Sequence, residues 1–220
     1  QAYIKAVQQL ADSTGFASRW FNMLETYAPK EARKAISQLP FVKEVVPMRL
    51  VKPRPASLKS TQTVASQREL IYKQTKHMQG ELFRKHGYTG KGVRIAIFDG
   101  GFPGVKTHPA FAPIVKEKRI IRTWDFPDDE PGVFAHNKHG TMVMSCIAGK
   151  QDTMHLGLAP DATFLLARTE VFTEPFSEEK NWLAAAEWAN KHGADIINSW
   201  TGNTAWWHVP PTWQHAKACW

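Results

Sequence analysis

The sequence predicts an α/β fold: an incomplete parallel sheet with flanking helices, preceded by a small α+β module. Three observations carry this reading. Residues 93–98 are a nearly continuous apolar run, interrupted only by Arg94, that stops abruptly at Asp99-Gly100-Gly101. A strand buried on both faces reads this way. Strand candidates at 120–125, 163–167 and from 196 onward alternate with helical patterns at 140–148 and 178–192, and such alternation gives parallel strands joined by right-handed crossovers. Residues 1–50 follow a different rhythm, helix, strand, helix, strand.

In chain order, Ile4, Val7, Leu10 and Ala11 recur at helical spacing, and Gly15 closes that segment. Residues 19–27 are apolar and aromatic and predict a strand. Pro29 fits the first turn of a helix whose apolar positions are Ala32, Ala35, Ile36 and Leu39; Pro40 stops it. Residues 41–48 return to strand. Residues 51–73, with Pro53, Pro55, hydroxyls and basic side chains, form a linker. Exposed basic linkers are readily nicked, which suits a maturation cleavage; an ordinary interdomain tether reads the same way, and the two are not exclusive. Residues 74–86 predict a helix with Met78, Leu82 and Phe83 as its apolar face, and Gly87, Gly90 and Gly92 punctuate the turn into the first sheet strand. The 140–148 helix carries Met142, Val143, Ile147 and Ala148. The 178–192 helix turns Trp182, Ala185, Ala186 and Ala189 inward, and Gly193 ends it.

The chain has 220 residues and a formal net charge of +8. That charge is uneven: residues 1–98 hold 17 Lys/Arg against 6 Asp/Glu (+11), leaving 11 against 14 (−3) beyond. A basic half raises nucleic-acid binding, but no nucleic-acid motif or aromatic stacking pattern accompanies it, so no nucleic-acid partner is expected. No apolar run reaches the roughly 18 residues a membrane span requires. Two cysteines, Cys146 and Cys219, are too few for a disulfide framework, and Cys146 is expected to be a buried small residue. The chain opens on Gln1 with no charged-then-apolar leader, which suits a start inside a longer precursor.

The chemistry concentrates in four segments: Gly87-Tyr-Thr-Gly-Lys-Gly-Val-Arg-Ile-Ala-Ile-Phe-Asp99-Gly-Gly, Thr107-His-Pro-Ala-Phe111, His139-Gly-Thr-Met-Val143 and Gly157-Leu-Ala-Pro-Asp-Ala162. In this order and spacing they resemble the subtilisin-like serine proteases (subtilases), over roughly residues 75–199. The resemblance implies a subtilisin-like sheet, a serine endopeptidase acting on polypeptide substrates, and catalytic roles for Asp99 and His139. It also implies that residues 1–50 are a propeptide or inhibitor-like module docking on the catalytic part, and that the protein is secreted. No metal and no cofactor is expected. In that family the triad runs Asp, His, Ser along the chain, and the serine lies in a Gly-Thr-Ser-Met type motif. No such motif occurs here, so this chain is expected to be truncated before the catalytic Ser and the oxyanion Asn, and inactive.

Asn198 and Ser199 lie on the strand that in the family lines the substrate groove, and are candidate substrate-binding residues; read alone they are a plain strand end. The domain reading is therefore 1–50 module, 51–73 linker, 74–199 partial catalytic domain, and 200–220 an aberrant tail. That tail holds five of the nine tryptophans and no Asp or Glu; a reading-frame shift or early stop near Ser199 would produce it, and the alternative is a Trp-rich binding tail. Ser145 and Cys146 are poor substitute nucleophiles, the first for facing small-residue packing, the second for burial. A metal hydrolase built on His136, His139, Asp99 and His108 lacks diagnostic ligand spacing, and no Asp-rich loop for calcium is recognised. The alternative from another class is a non-enzymatic inhibitor or folding module attached to a vestigial domain.

Overall fold

The computed structural model describes residues 2–47, 75–151, 154–171 and 175–199. The 51–73 linker and the 200–220 tail lie outside the described residues.

The N-terminal module is helix α1 (Ala2–Gln8), strand β1 (Ser13–Ser18), strand β2 (Met23–Tyr27) and helix α2 (Lys30–Ser37). β1 and β2 pair antiparallel. This corrects three expectations. Gly15 lies within a strand rather than ending the first segment, and the predicted 19–27 strand is split by a turn at 19–22 in which Asn22 takes a φ of 51°. Residues 42–47 form no strand; Val46 is exposed, and no neighbouring chain offers a ladder there among the described residues. The module's contribution to a core is small, Val7 and Ile36.

The second part is built on a four-stranded parallel sheet in the order β4-β7-β3-β8, with β3 at Arg94–Asp99, β4 at Ile120–Asp125, β7 at Thr163–Arg168 and β8 at Ile196–Ser199. Ala96, Ile97 and Phe98, with Phe164 through Ala167, are at most 1% exposed, as apolar strands covered on both faces must be. Alternation sorts them. Ile95, Ile97, Phe164 and Leu166 pack with Met144 and Ala148 of helix α5 (His139–Ala148). Ala96, Phe98, Leu165 and Ala167 pack with Ala185, Ala186 and Ala189 of helix α6 (Pro175–Lys191). The small stripe on α6 lets that helix lie close to the sheet, as the sequence predicts.

Shorter elements complete the chain: α3 (Gly80–Lys85), α4 (Ala112–Lys116), and a β5 (Lys150–Gln151) and β6 (Met154–His155) ladder. The predicted 74–86 helix is broken at Gln79, which has a φ of 54°, and Met78, Leu82 and Phe83 are 52%, 50% and 46% exposed rather than packed. No helix among the described residues is long and apolar enough to cross a membrane.

The module meets the sheet through α6. The Ser18 hydroxyl donates to Glu187 Oε1 at 2.5 Å, and the Arg19 and Trp20 amides donate to the same carboxylate at 3.0–3.2 Å. Lys180 Nζ lies 3.3 Å from Glu25 Oε2. One carboxylate thus caps the turn between β1 and β2.

Candidate active site

A parallel sheet gathers chemistry beyond the carboxyl ends of its strands. Asp99, Asp125 and Arg168 end three neighbouring strands in one level row, Asp125 opposite Arg168 and Arg168 opposite Asp99. Asp99 follows Ile95 and Ile97 on the face that α5 covers.

α5 starts on His139, and Gly140 makes that start possible. A Cβ at Gly140 would lie 2.4 Å from the Gly101 carbonyl oxygen and 2.9 Å from the Asp99 Cβ. The helix therefore presses its first turn onto the end of β3. His139 Nδ1 lies 2.9 Å and 3.0 Å from the two Asp99 oxygens. The Gly100 amide donates to Asp99 Oδ1 at 2.7 Å, the His139 amide donates to Asn137 Oδ1 at 3.0 Å, and the Thr141 hydroxyl donates to the Pro103 carbonyl at 2.7 Å. Asp99 is fully buried and the His139 side chain is 31% exposed. Burial raises the Asp99 pKa, against the lowering by the Gly100 amide and by His139. The arrangement is an imidazole whose tautomer is fixed at Nδ1 by a buried carboxylate, which leaves Nε2 as the atom that would exchange a proton with a nucleophile.

The other expected residues fall less simply. Asn198 pairs with Ile97 and Ser199 with Phe98 on β8, one position short of Asp99. Strand alternation puts Asn198 on the His139 face. Ser199 faces the other way, and its hydroxyl accepts from the Trp182 indole at 3.0 Å. Cys146 is exposed, contrary to expectation, because it lies on the side of α5 opposite Met144 and Ala148, which pack on the sheet. The Ser145 hydroxyl donates to the Met142 carbonyl of its own helix at 2.6 Å; a backbone bond, not small-residue packing, occupies it. His108 Nδ1 accepts from the Ala110 amide at 3.1 Å, and among the described residues the groups close enough to share an ion are Asp125, Asp128 and His136, not the set of His108, His136, His139 and Asp99.

Asp125-Phe-Pro-Asp-Asp-Glu130 is an acid-rich loop that the sequence reading passed over. Asp125, Asp128 and His136 place one ligand atom each within 4.8 Å of one another. Arg168 Nη1 sits among them, 2.8 Å and 3.0 Å from the Asp125 oxygens and 2.6 Å from Asp128 Oδ2. With a guanidinium already supplying the positive charge, the cluster is an ion-pair network.

Glu170 is a second residue the sequence did not signal. Burial, with Asp99 and Glu178 nearby, pushes its carboxyl from 4.5 up to about 8. The folded chain holds a proton that the unfolded chain releases in that window, so stability falls as pH rises through it. Glu170→Gln should remove that loss. Melting temperatures at about pH 5 and about pH 8 should then differ less in the variant than in the wild type; an equal difference would count against a protonated Glu170.

Comparison with known proteins fits this geometry. The Subtilase family model matches residues 90–219, and the Peptidase S8 propeptide domain model of Bacteroidota matches residues 1–68. Membrane-bound transcription factor site-1 protease of Homo sapiens is 34% identical over 122 residues, 55% of this chain and 10% of that protein. Alkaline elastase YaB of Bacillus sp. (strain YaB) is 29% identical over 130 residues, 58% of this chain and 31% of its own length. The chain thus spans less than a third of either relative. Among solved structures, the epidermin leader peptide processing serine protease (EpiP) of Staphylococcus aureus shares the fold at a TM-score of 0.58, with 17% identity over 90% of this chain and 46% of that one.

Proposed function

Because the chain belongs to the subtilase family of serine proteases and carries a propeptide domain, we propose that it is the propeptide and the acid–base half of a secreted endopeptidase that cleaves polypeptides. His139 is the general base that takes a proton from a serine hydroxyl and returns it to the leaving amine. Asp99 holds the imidazole in the required tautomer and stabilises the imidazolium. The observation that carries this is the pair of contacts, at 2.9 Å and 3.0 Å, between His139 Nδ1 and the buried Asp99 carboxylate. Asn198 is a substrate contact by its side chain, and Ser199 by its main chain, since its hydroxyl is held by Trp182.

The 220-residue polypeptide alone does not hydrolyse peptides on this reading, because it holds the base and its orienting acid without a serine in the expected motif. In subtilisin, loss of the nucleophile costs about 10⁶ in kcat. Residues 1–47 dock as an intramolecular inhibitor through Glu187. That contact also favours the second reading, in which the module is the working part and the catalytic portion is vestigial.

A chimera separates the two. Residues 1–199 joined to the remaining part of the alkaline elastase YaB catalytic domain should cleave casein once the module is removed. Asp99→Asn should then lower kcat by about 10⁴, and His139→Ala should abolish turnover. A folded chimera indifferent to both substitutions would leave only the inhibitor reading.

A further inference from the structure

Arg168 lies between two carboxylates and engages only one side. In the level row at the strand ends, Asp125 flanks it on β4 and Asp99 flanks it on β3. Neighbouring strands lie about 4.8 Å apart, well within reach of an arginine side chain on the same face. Yet its Nη1 contacts Asp125 and Asp128, while Asp99 is given to His139. Its Nε is buried without a hydrogen-bond partner among the described residues, so the present pairing leaves the guanidinium fork partly unsatisfied. A carboxylate that took Nε and a terminal nitrogen together would satisfy it better, and Asp99 is the neighbouring carboxylate in the row.

We propose that Asp125 and Asp128 are positioning residues that hold Arg168 off Asp99 and so reserve the Asp99 carboxylate for His139. Two carboxylates outcompete one for a single cation. Asp125 is fixed at its strand end and buried, and Asp128 is brought over it by a tight turn in which the Asp125 amide donates to Glu130 and the Asp128 amide to Asp125 Oδ1. His136 Nε2, 3.6 Å from Asp125 and 3.8 Å from Asp128, closes the far side. The ionisable neighbours of Asp99 that enter are His139 from α5, Arg168 at the end of β7 and Glu170 just beyond it. The inference rests on the dyad reading of Asp99 and His139.

The test uses the full chain labelled at histidine nitrogens and Asp carboxyl carbons. The wild type should show a low-field proton bound to His139 Nδ1. In Asp125→Asn/Asp128→Asn, Arg168 should swing to Asp99: the low-field proton is lost, and the Asp99 titration midpoint falls by about one pH unit or more. Adding Arg168→Met to that pair should restore the wild-type signals, which loss of structure alone would not do. Asp128→Asn, at a half-exposed position, should shift the same signals in the same direction by less and covers the case in which the double variant does not fold. A folded variant with an unmoved Asp99 midpoint, or a triple variant no better than the double, overturns the proposal. A wild type without the Nδ1 proton overturns the dyad reading instead, and the Asp99 carboxyl signal still decides whether Arg168 moves.

Discussion

Gly140→Ala should unseat His139 from Asp99 and destabilise the sheet portion near or above the upper end of the roughly 1–3 kcal/mol that overpacking costs. The added methyl would lie 2.4 Å from the Gly101 oxygen, 2.8 Å from Phe102 Cε1 and 2.9 Å from Asp99 Cβ. Two of these three are main chain or a Cβ, which cannot rotate away as a flexible side chain can. Relief requires the first turn of α5 to lift off β3, and His139 is the residue that opens that turn. The expected result is a lower denaturation midpoint with loss of the His139–Asp99 hydrogen bond by NMR. Ser145→Ala, on the same helix with its hydroxyl turned to its own backbone, should do neither. A Gly140→Ala chain with wild-type stability would mean that α5 does not seat on the strand end as described.

Glu187→Ala should release the N-terminal module from α6. Its carboxylate takes three donors from the 18–20 turn, and hydrogen bonds to a charged group contribute about 1.5–3 kcal/mol each, not additively. Glu25–Lys180 is a further ion pair across this contact among the described residues, and partly exposed pairs contribute little. Amide exchange at Arg19 and Trp20 should rise by two orders of magnitude or more, while exchange in β3 and β7 stays slow. Uniform acceleration across the chain would instead make the two parts one cooperative unit.

The sheet was legible because burial on both faces leaves long apolar runs. The inward stripe of α6, Ala185, Ala186 and Ala189, was legible for the same reason. A charge at a strand end is not diagnostic, since Asp125 and Arg168 end strands too; Asp99 stood out through Gly100-Gly101 and the His139-Gly-Thr segment, which carry the family resemblance. The module was read less well. Its hairpin depends on Asn22 taking a positive φ and on Glu187, a residue far away in sequence. The exposure of Cys146, Met78 and Leu82 could not be read from apolar spacing, since spacing reports a face and not what covers it. Arg168 was invisible as a site residue because its meaning lies in register: only when β4, β7 and β3 align do Asp125, Arg168 and Asp99 form one row.

The proposal that this chain assembles the base without its nucleophile is tested most directly by labelling the purified 220-residue chain with a fluorophosphonate serine probe. No labelling is expected, in the wild type or in His139→Ala. Labelling of the wild type that disappears in His139→Ala would contradict the claim, because it would mean that a serine in this chain is activated by His139.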